Sequence, residues 1–230
     1  MSTDDTRSRV LDAAGAEFAD KGFERATVRD ICRRAGVNLA SVNYYFGDKE
    51  QLYVETVKEA QRMRSAQVPA PQWDADTPPE QMLRDFVGML LNRMLRVKTA
   101  PWHSRLMMRE VLSPTKACRE MSEEFIRPQF EMLLGIISRL ASPSAPLHLR
   151  QQIAFSVVGQ CLHYRLAGEI VEILIDDDTR RRHYQIESLA DQITQFTLAA
   201  LGAAPPLGTD KLGDRLRSKH TPVESLPGKQ

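Results

Sequence analysis

The side chains best suited to recognising another molecule lie close together, between Asn38 and Lys49. The amide of Asn43 can form two hydrogen bonds with the edge of adenine, and the apolar side chains of Leu39 and Ala40 can contact a thymine methyl group. Four further residues of this segment carry a hydroxyl or ammonium group that can donate to a phosphate oxygen: Ser41, Tyr44, Tyr45 and Lys49. Base-contacting and phosphate-binding groups in so short a segment indicate contact with double-stranded DNA.

A short helix must hold these groups in the major groove, and the preceding residues predict how it is positioned. Thr27 and Asp30 have the spacing of a capping box, in which each side chain accepts a hydrogen bond from the other residue's backbone N–H. Gly36 is expected to end the helix that starts at Thr27, and Asn38 is the predicted N-cap of the next helix, which ends near Phe46. Two short helices joined by a glycine turn form a helix-turn-helix.

A first helix completes a three-helix unit. Val10, Ala14 and Phe18 recur at intervals of four residues, so one apolar face is predicted on a helix from Thr6 to Asp20. Gly22 is expected to stop this helix. Two apolar residues are predicted to anchor the recognition helix from behind: Val37 and Val42.

Charge gives this interpretation only weak support. The chain has a net charge of +1, and residues 1–64 contain 11 basic and 11 acidic residues. Residues 21–49 contain six basic and three acidic residues, which is enough for one positive face. The near-zero net charge of residues 1–64 argues against a non-specific architectural DNA binder. Lys49 opposes the dipole of the helix that it begins, so we expect a phosphate contact there instead of a stabilising role. Pairs of short helices around a glycine also arise by chance, and spacing alone leaves that alternative open.

The rest of the composition is that of a cytoplasmic protein without a membrane partner. No apolar run approaches the roughly 18 uncharged residues of a membrane span, and the N-terminus has no export pattern. Cys32, Cys118 and Cys161 lack CxxC spacing and are expected to be reduced thiols. An all-α enzyme using Cys161 and His163, or His103, is the alternative. No oxyanion donor, orienting carboxylate or phosphate loop accompanies them, so no catalytic residue and no cofactor is predicted.

The stretch TVRDICRRAGVNLASVNYYFGDKEQLY resembles the signature of the TetR/AcrR family of transcriptional regulators. The resemblance covers about residues 7–55: a first helix ending in Phe, then T-x-x-x-I, A-G-V, Y-x-F and K-x-x-L. It implies an all-α fold with an N-terminal three-helix DNA-binding domain and a C-terminal helical domain that binds ligand and dimerises. It also implies a homodimer on palindromic operator DNA, usually a repressor, that a small-molecule effector releases. Segments such as PWHSRLMMREVLSPT look like the CecR-type branch.

The resemblance also places individual contacts. Phosphate contacts fall on five positions: Thr27, Ser41, Tyr44, Tyr45 and Lys49. Base-contacting positions fall on three others: Leu39, Ala40 and Asn43. Arg29, which points away from the predicted buried side of its helix, completes the predicted DNA-binding set. Asn43 departs from the tyrosine that most members carry, and Leu39 from a basic or polar residue, so the operator sequence does not follow.

The chain divides into three predicted parts. Residues 1–50 are the DNA-binding domain, continued by a helix to about residue 65; residues 66–203 are the ligand-binding and dimerisation domain; residues 204–230 are a flexible tail rich in Pro, Gly and charge. The segment PAPQWDADTPPE marks the first transition. Five helical segments are predicted beyond it: 80–97, 103–112, 119–141, 147–174 (with a break near Gly168) and 184–202.

A methionine-rich region predicts the effector pocket. Eight of the nine methionines lie between residues 63 and 132, and flexible thioethers suit an adaptable apolar pocket, with ordinary helix core as the alternative. The predicted wall consists of ten residues: Met89, Trp102, His103, Leu106, Met107, Phe125, Phe130, Cys161, Tyr164 and Arg165. Arg165 or Arg105 could pair with an anionic ligand, or form a structural salt bridge with Glu110 or Glu169. Cys161 and His163 are two apart on a helix and diverge, so no metal site is predicted.

The last two long helices are the predicted dimer interface, through an intersubunit four-helix bundle that the family resemblance implies. Two stripes of apolar and small residues support it: Ile153, Ala154, Ser156, Val157, Gly159 and Gln160 in the first helix, and Ile186, Leu189, Ile193, Phe196, Ala200 and Leu201 in the second. The alternative is that the same stripes close the core of a single chain.

Overall fold

The computed structural model describes residues 3–96 and 100–205, and within those ranges every regular element is helical. The predicted all-α fold class is therefore confirmed. Twelve α-helices follow one another in the described residues: α1 (Thr3–Arg25), α2 (Val28–Ala35), α3 (Leu39–Phe46), α4 (Lys49–Gln67), α5 (Pro79–Leu91), α6 (Pro101–Leu112), α7 (Lys116–Met121), α8 (Arg127–Leu140), α9 (Leu147–Leu166), α10 (Gly168–Leu174), α11 (Asp177–His183) and α12 (Ile186–Ala200). π-helical turns at Asn92–Arg96 and Ser122–Ile126 extend α5 and join α7 to α8.

Helices α1 to α3 form the predicted three-helix unit, which we call the head. The regular part of α1 ends at Gly22, whose φ of 77° lies in the region that favours glycine. The Thr27 hydroxyl caps α2 by accepting from the Asp30 N–H at 3.1 Å, and Gly36 ends that helix in the left-handed conformation. Asn38 caps α3 by accepting from the next turn. The predicted caps and glycine stops are confirmed.

The second half of the expected capping box is absent from the described hydrogen bonds. The Asp30 carboxylate forms ion pairs with Lys21, at 3.2 Å, and with Arg33 instead of accepting from the Thr27 backbone. The Thr27 hydroxyl and the Lys21 ammonium hold the pKa of Asp30 below its usual value. Asp30 therefore ties α2 to the end of α1, a role that its capping position did not predict.

The core of the head extends beyond the head itself. Phe18, Ile31 and Leu52 are buried in it, and so are Trp102 of α6 and Met121 of α7. Residues on either side of the predicted transition at residue 66 thus share one hydrophobic core. The head and the following helices are packed together and are not simply joined by a linker.

A second core lies among α5, α8, α9 and α12. The stripes predicted for dimerisation contribute to it, because Ala154 and Val157 of α9 and Leu189 and Ile193 of α12 are buried within the single chain. For these four residues the alternative interpretation, a closed intramolecular core, is the correct one. The exposed residues of the same helices are free to contact a second molecule.

The later helices confirm one predicted feature and add one element that was not predicted. The break near Gly168 is confirmed, since α9 ends at Leu166 and α10 begins at Gly168. Helix α11 was not expected as a separate element, because it buries no residue and so has no apolar periodicity; Asp176 caps it by accepting from the Thr179 N–H. Among the described residues no helix is long and apolar enough to cross a membrane. The predicted tail falls almost wholly on 206–230, outside the described residues.

Candidate functional site

Helix α3 presents the predicted base-contacting residues to solvent. Val42 and Phe46 are buried in the head, as predicted for Val42, and they fix the helix from one side. Leu39, Ala40 and Asn43 are exposed on the opposite side. An eight-residue helix with two buried anchors and an open face of small, apolar and amide side chains has the size and chemistry to enter a major groove.

The start of α3 is fixed by a local hydrogen-bond network. The Asn38 side-chain oxygen accepts from the Ser41 backbone N–H at 2.9 Å and from the Ser41 hydroxyl at 3.0 Å. The only hydroxyl proton of Ser41 is therefore used within the protein, and a phosphate oxygen, which can only accept, would have to compete for it. The predicted phosphate contact of Ser41 requires its hydroxyl to rotate.

Two tyrosines follow on α3 with different exposures. Tyr44 is 81% exposed, whereas Tyr45 packs partly against the core of the head. Their rings meet edge to face with centroids 5.1 Å apart. Tyr45 thus buttresses Tyr44, whose hydroxyl can reach away from the protein surface.

Lys49 has a structural partner that the sequence did not reveal. Its ammonium donates to the Glu24 carbonyl oxygen at 3.2 Å and lies 4.6 Å from the centre of the Phe23 ring. The expectation that this lysine has no stabilising role is wrong, because it joins the start of α4 to the end of α1. An ammonium has three protons, so further donors remain for a phosphate.

The exposed charge near α3 comes from few residues. Thr27 and Arg29 are exposed at the start of α2. Lys21 forms ion pairs with Glu17 and Asp30, and Arg33 forms one with Asp30. In the described part of the chain Arg29 forms no ion pair, so it remains available to an external anion.

A separate cavity of about 250 Å³ lies among α4 to α9. Most of its lining is apolar, and six residues represent it: Phe86, Leu90, Met107, Met108, Phe130 and Phe155. The Phe130 and Phe155 rings pack with centroids 4.8 Å apart. The volume is slightly below the range of about 300–1,000 Å³ that is usual for small-molecule sites.

Three arginines reach the same cavity: Arg64 from α4, Arg93 from the π-helical turn and Arg165 from α9. Arg93 is only 6% exposed and donates to the Val68 carbonyl oxygen at 2.7 Å and to Gln129 Oε1 at 2.8 Å. Arg64 Nε is buried and has no partner among the described residues. No Asp or Glu from the described ranges lines the cavity.

Only three of the ten predicted wall residues line this cavity: Met107, Phe130 and Arg165. Trp102 and Leu106 belong to the core of the head, and Phe125 packs against it. Cys161 is buried in the second core, where burial raises the pKa of its thiol to about 12. The prediction is wrong for these four because helix packing turns their side chains into the two cores.

The remaining three predicted wall residues lie elsewhere. Met89 faces a shallow groove beside Ile186, and Tyr164 faces a surface depression beside Tyr184. His103 is 1% exposed, and neither ring nitrogen has a partner in the described part of the chain. Burial and the nearby charge of Arg64 lower the pKa of His103 to about 4.

Arg64 and Arg93 were not predicted as cavity residues, although the sequence contains a signal for one of them. Arg64 follows buried Val57 and Ala60 at the spacing of one helical face. A charged residue that continues an apolar stripe must be buried or partnered. Arg93 lies in a π-helical turn, where ordinary helical spacing does not predict direction.

The cavity and the head are connected by specific contacts. The buried Tyr53 hydroxyl of α4 donates to Glu110 of α6 at 2.5 Å, and Glu110 also accepts from the Thr115 N–H at 3.2 Å. Arg109 Nε donates to the Ala19 carbonyl oxygen at 2.9 Å, and Arg105 pairs with Asp20 at 2.9 Å. Helix α6 therefore holds the end of α1 on one side and borders the cavity on the other.

No described group of three or more His, Cys, Asp or Glu side chains lies close enough together to hold a metal ion. Cys161 and His163 differ in environment, since Cys161 is buried and His163 is exposed.

Two families match consecutive parts of the sequence. Residues 10–56 match the family described as bacterial regulatory proteins, tetR family. Residues 79–201 match the C-terminal domain of the HTH-type transcriptional dual regulator CecR. The first match covers the head and the start of α4, and the second covers α5 to α12.

Individual relatives give the same picture. The HTH-type transcriptional dual regulator CecR of Shigella flexneri is 27% identical over 174 residues, which are 72% of this chain and 78% of that protein. The HTH-type transcriptional regulator BetI of Agrobacterium fabrum is 39% identical over 56 residues, 24% of this chain and 27% of that protein.

Solved structures share the fold at low identity. A regulatory protein of the tetR family from Rhodococcus RHA1 has a TM-score of 0.60 at 16% identity and covers 86% of this chain and 98% of its own. The fatty acid degradation regulator FadR from Bacillus halodurans has a TM-score of 0.55 at 19% identity, covering 84% and 98%.

Proposed function

Because the chain belongs to the tetR family of bacterial regulatory proteins and has a CecR-type C-terminal domain, we propose that it is a homodimeric repressor that binds a palindromic operator in the cytoplasm and is released by a small molecule. The family consists of DNA-binding transcriptional regulators and not of enzymes. The observation that carries the proposal is α3, whose buried Val42 and Phe46 orient an exposed face of Leu39, Ala40 and Asn43.

Each exposed group has a role on DNA that follows from its chemistry. Asn43 pairs with adenine, and Leu39 and Ala40 contact thymine methyl groups. Phosphate oxygens accept from groups around them that fix the register of α3: Thr27, Arg29, Ser41, Tyr44, Tyr45 and Lys49. Tyr44 is the best placed of these, because its ring is exposed and supported from behind by Tyr45.

The dimer brings two such heads to one operator. Ser156 and Gly159 of α9 and Phe196 and Ala200 of α12 remain exposed on a single chain. A second copy that covers these faces would place two recognition helices on half-sites about one helical turn, roughly 34–36 Å, or somewhat more apart. Sedimentation velocity at the protein concentrations used for DNA titration tests the dimer directly.

Release by a ligand follows from α4 and α6. Helix α4 begins at Lys49, beside the head, and its last turns contribute Gln61 and Arg64 to the cavity. A ligand that fits the cavity better when α4 is shifted will lower the affinity for DNA by the same factor by which DNA lowers the affinity for the ligand. The predicted domain boundaries, 1–50, 66–203 and 204–230, are retained in this scheme, with α4 as the connection.

The test is a mobility-shift or anisotropy titration on DNA upstream of the protein's own gene, with unrelated DNA as competitor. Ala40→Glu places a carboxylate on the exposed face of α3 and should weaken specific binding by about 100-fold or more, because a like charge facing phosphates costs several kcal/mol. Ala66→Glu makes the same change on an exposed part of α4 and should bind normally. Equal binding by both variants, or no specific complex at moderate salt, would refute the proposal.

Activation is a second candidate, because the relative from Shigella flexneri is described as a dual regulator. In-vitro transcription from the bound promoter distinguishes the two. Repression lowers transcript yield when protein is added, and activation raises it.

A further inference from the structure

The cavity holds an unusual concentration of positive charge. Arg64, Arg93 and Arg165 all line it, and no carboxylate among the described residues pairs with any of the three. Arg105, outside the cavity, has an acidic partner in Asp20. Arg93 is buried and Arg64 is half-buried, and buried charges in proteins are normally paired, so their shared position needs a different explanation.

The three charges also disfavour one another. Burial, and then the charge of Arg165, lowers the pKa of Arg64, and burial followed by the charge of Arg64 lowers that of Arg93. Both guanidinium groups nevertheless stay charged at neutral pH, because arginine titrates far above it. The proximity of these guanidinium groups is therefore electrostatically unfavourable, and an anion placed among the three would relieve the repulsion.

The rest of the cavity wall is apolar and suits an apolar part of a ligand. Phe86, Leu90, Phe130 and Phe155 surround it, with the flexible thioether of Met107 beside them. Water occupies about 30 Å³ in the liquid, and a CH₂ group is of similar size, so a cavity of about 250 Å³ has room for roughly eight such groups. The chemistry thus divides into a cationic end and an apolar remainder.

We propose that the effector is an anionic amphiphile with an apolar chain of about eight carbons. Its anionic group, a carboxylate or a phosphate monoester, is bound by Arg64, Arg93 and Arg165. This inference rests on the proposed function, since it names the ligand class of the same cavity. Arg93, held by Val68 and Gln129, is fixed in place before the ligand arrives. Arg165 is exposed and has no described partner, so it binds the anionic group of the ligand from the solvent side.

Four ligands with eight carbons each separate charge from apolar contact: octanoate, octyl phosphate, 1-octanol and octylammonium. Calorimetry on the full chain without DNA should give octanoate or octyl phosphate at least tenfold tighter than octanol, and octylammonium weaker than octanol. The anion with the higher affinity shows whether the anionic group of the effector is a carboxylate or a phosphate. Equal affinity for octanoate, octyl phosphate and octanol, a preference for octylammonium, or no binding of any anion would overturn the proposal.

Arg165→Gln should lower the affinity for the preferred anion by roughly 10- to 100-fold, which is the range for a lost hydrogen bond to a charged group. The affinity for octanol should not change. Arg119→Gln removes an exposed arginine of α7 that does not line the cavity and serves as the matched control. If both variants bind the anion alike, the arginine cluster is not the site.

The same ligands are then added to the protein–DNA complex. An anion that binds through Arg165 but leaves the complex intact contradicts the proposed release and supports the ligand class. DNA release by octanol as readily as by the anions supports the proposed release and contradicts the ligand class.

Discussion

Replacing Gly15 with alanine tests the contact between the head and α6. Gly15 lies inside α1, and a Cβ atom there would be 2.4 Å from Cδ2 and Cε3 of Trp102 and 2.5 Å from Cζ3. Real Cβ contacts are essentially never shorter than 3.0 Å, so the helix or the indole must move. Trp102 is buried in the core of the head, so its indole can move only by displacing neighbouring side chains.

Two opposing effects set the magnitude. Glycine to alanine inside a helix normally stabilises it by about 1 kcal/mol. Overpacking a core costs about 1–3 kcal/mol, and contact with three ring atoms places Gly15→Ala near the upper end. The free energy of unfolding should therefore fall by about 2 kcal/mol. Gly135→Ala, on α8, has nothing within 4 Å of its new methyl group and should raise the free energy of unfolding by up to about 1 kcal/mol.

Urea denaturation of both variants measures this difference of about 3 kcal/mol as a shift in midpoint at constant slope. In the background of Trp102→Leu, which shortens the clashing side chain, Gly15→Ala should lose at least about 1 kcal/mol of its cost. Equal stability of Gly15→Ala and Gly135→Ala would show that the close packing of α1 on α6 is not as described.

Three further predictions concern DNA contact, the buried hydrogen bonds and pH. Asn43→Ala should lose about 1–3 kcal/mol of discrimination at one base position, whereas Lys49→Ala should weaken all sequences alike and reduce the salt slope by about 1; a uniform loss for both in anisotropy titrations would mean that Asn43 contacts no base. Tyr53→Phe removes one donor to buried Glu110 and should lower the free energy of unfolding by about 1.5–3 kcal/mol, with an unchanged urea midpoint as the contrary result. The pKa of His103 is about 4 in the folded chain against an ordinary 6.5, so the unfolded chain binds the extra proton first, and about 3 kcal/mol of stability is lost as the pH falls from 6.5 to 4. In the His103→Met variant the urea midpoint should change less with pH over that range. An identical pH dependence of the midpoint in the variant and the original protein would refute the assignment.

The sequence by itself determined the parts of the molecule that local interactions control. Thr27, Asn38 and the glycines Gly36 and Gly22 define helix ends through bonds to neighbours within a few residues and through backbone conformations that favour glycine. The buried anchor of α3 follows from the same local pattern, because apolar Val42 lies between polar Ser41 and Asn43. The break at Gly168 was predictable for the same reason.

Only the tertiary structure decided which side chains share a cavity. Trp102 and Cys161 are residue types that can line a pocket. Each is instead buried in a different core, because helices distant in sequence pack against it. The π-helical turn at Asn92–Arg96 contributes Arg93 to the cavity at a position that regular spacing does not anticipate. Helical periodicity shows that a face is buried but not which helix covers it. The meeting of Arg64, Arg93 and Arg165 depends on the packing of three elements at once, and no local pattern contains that information.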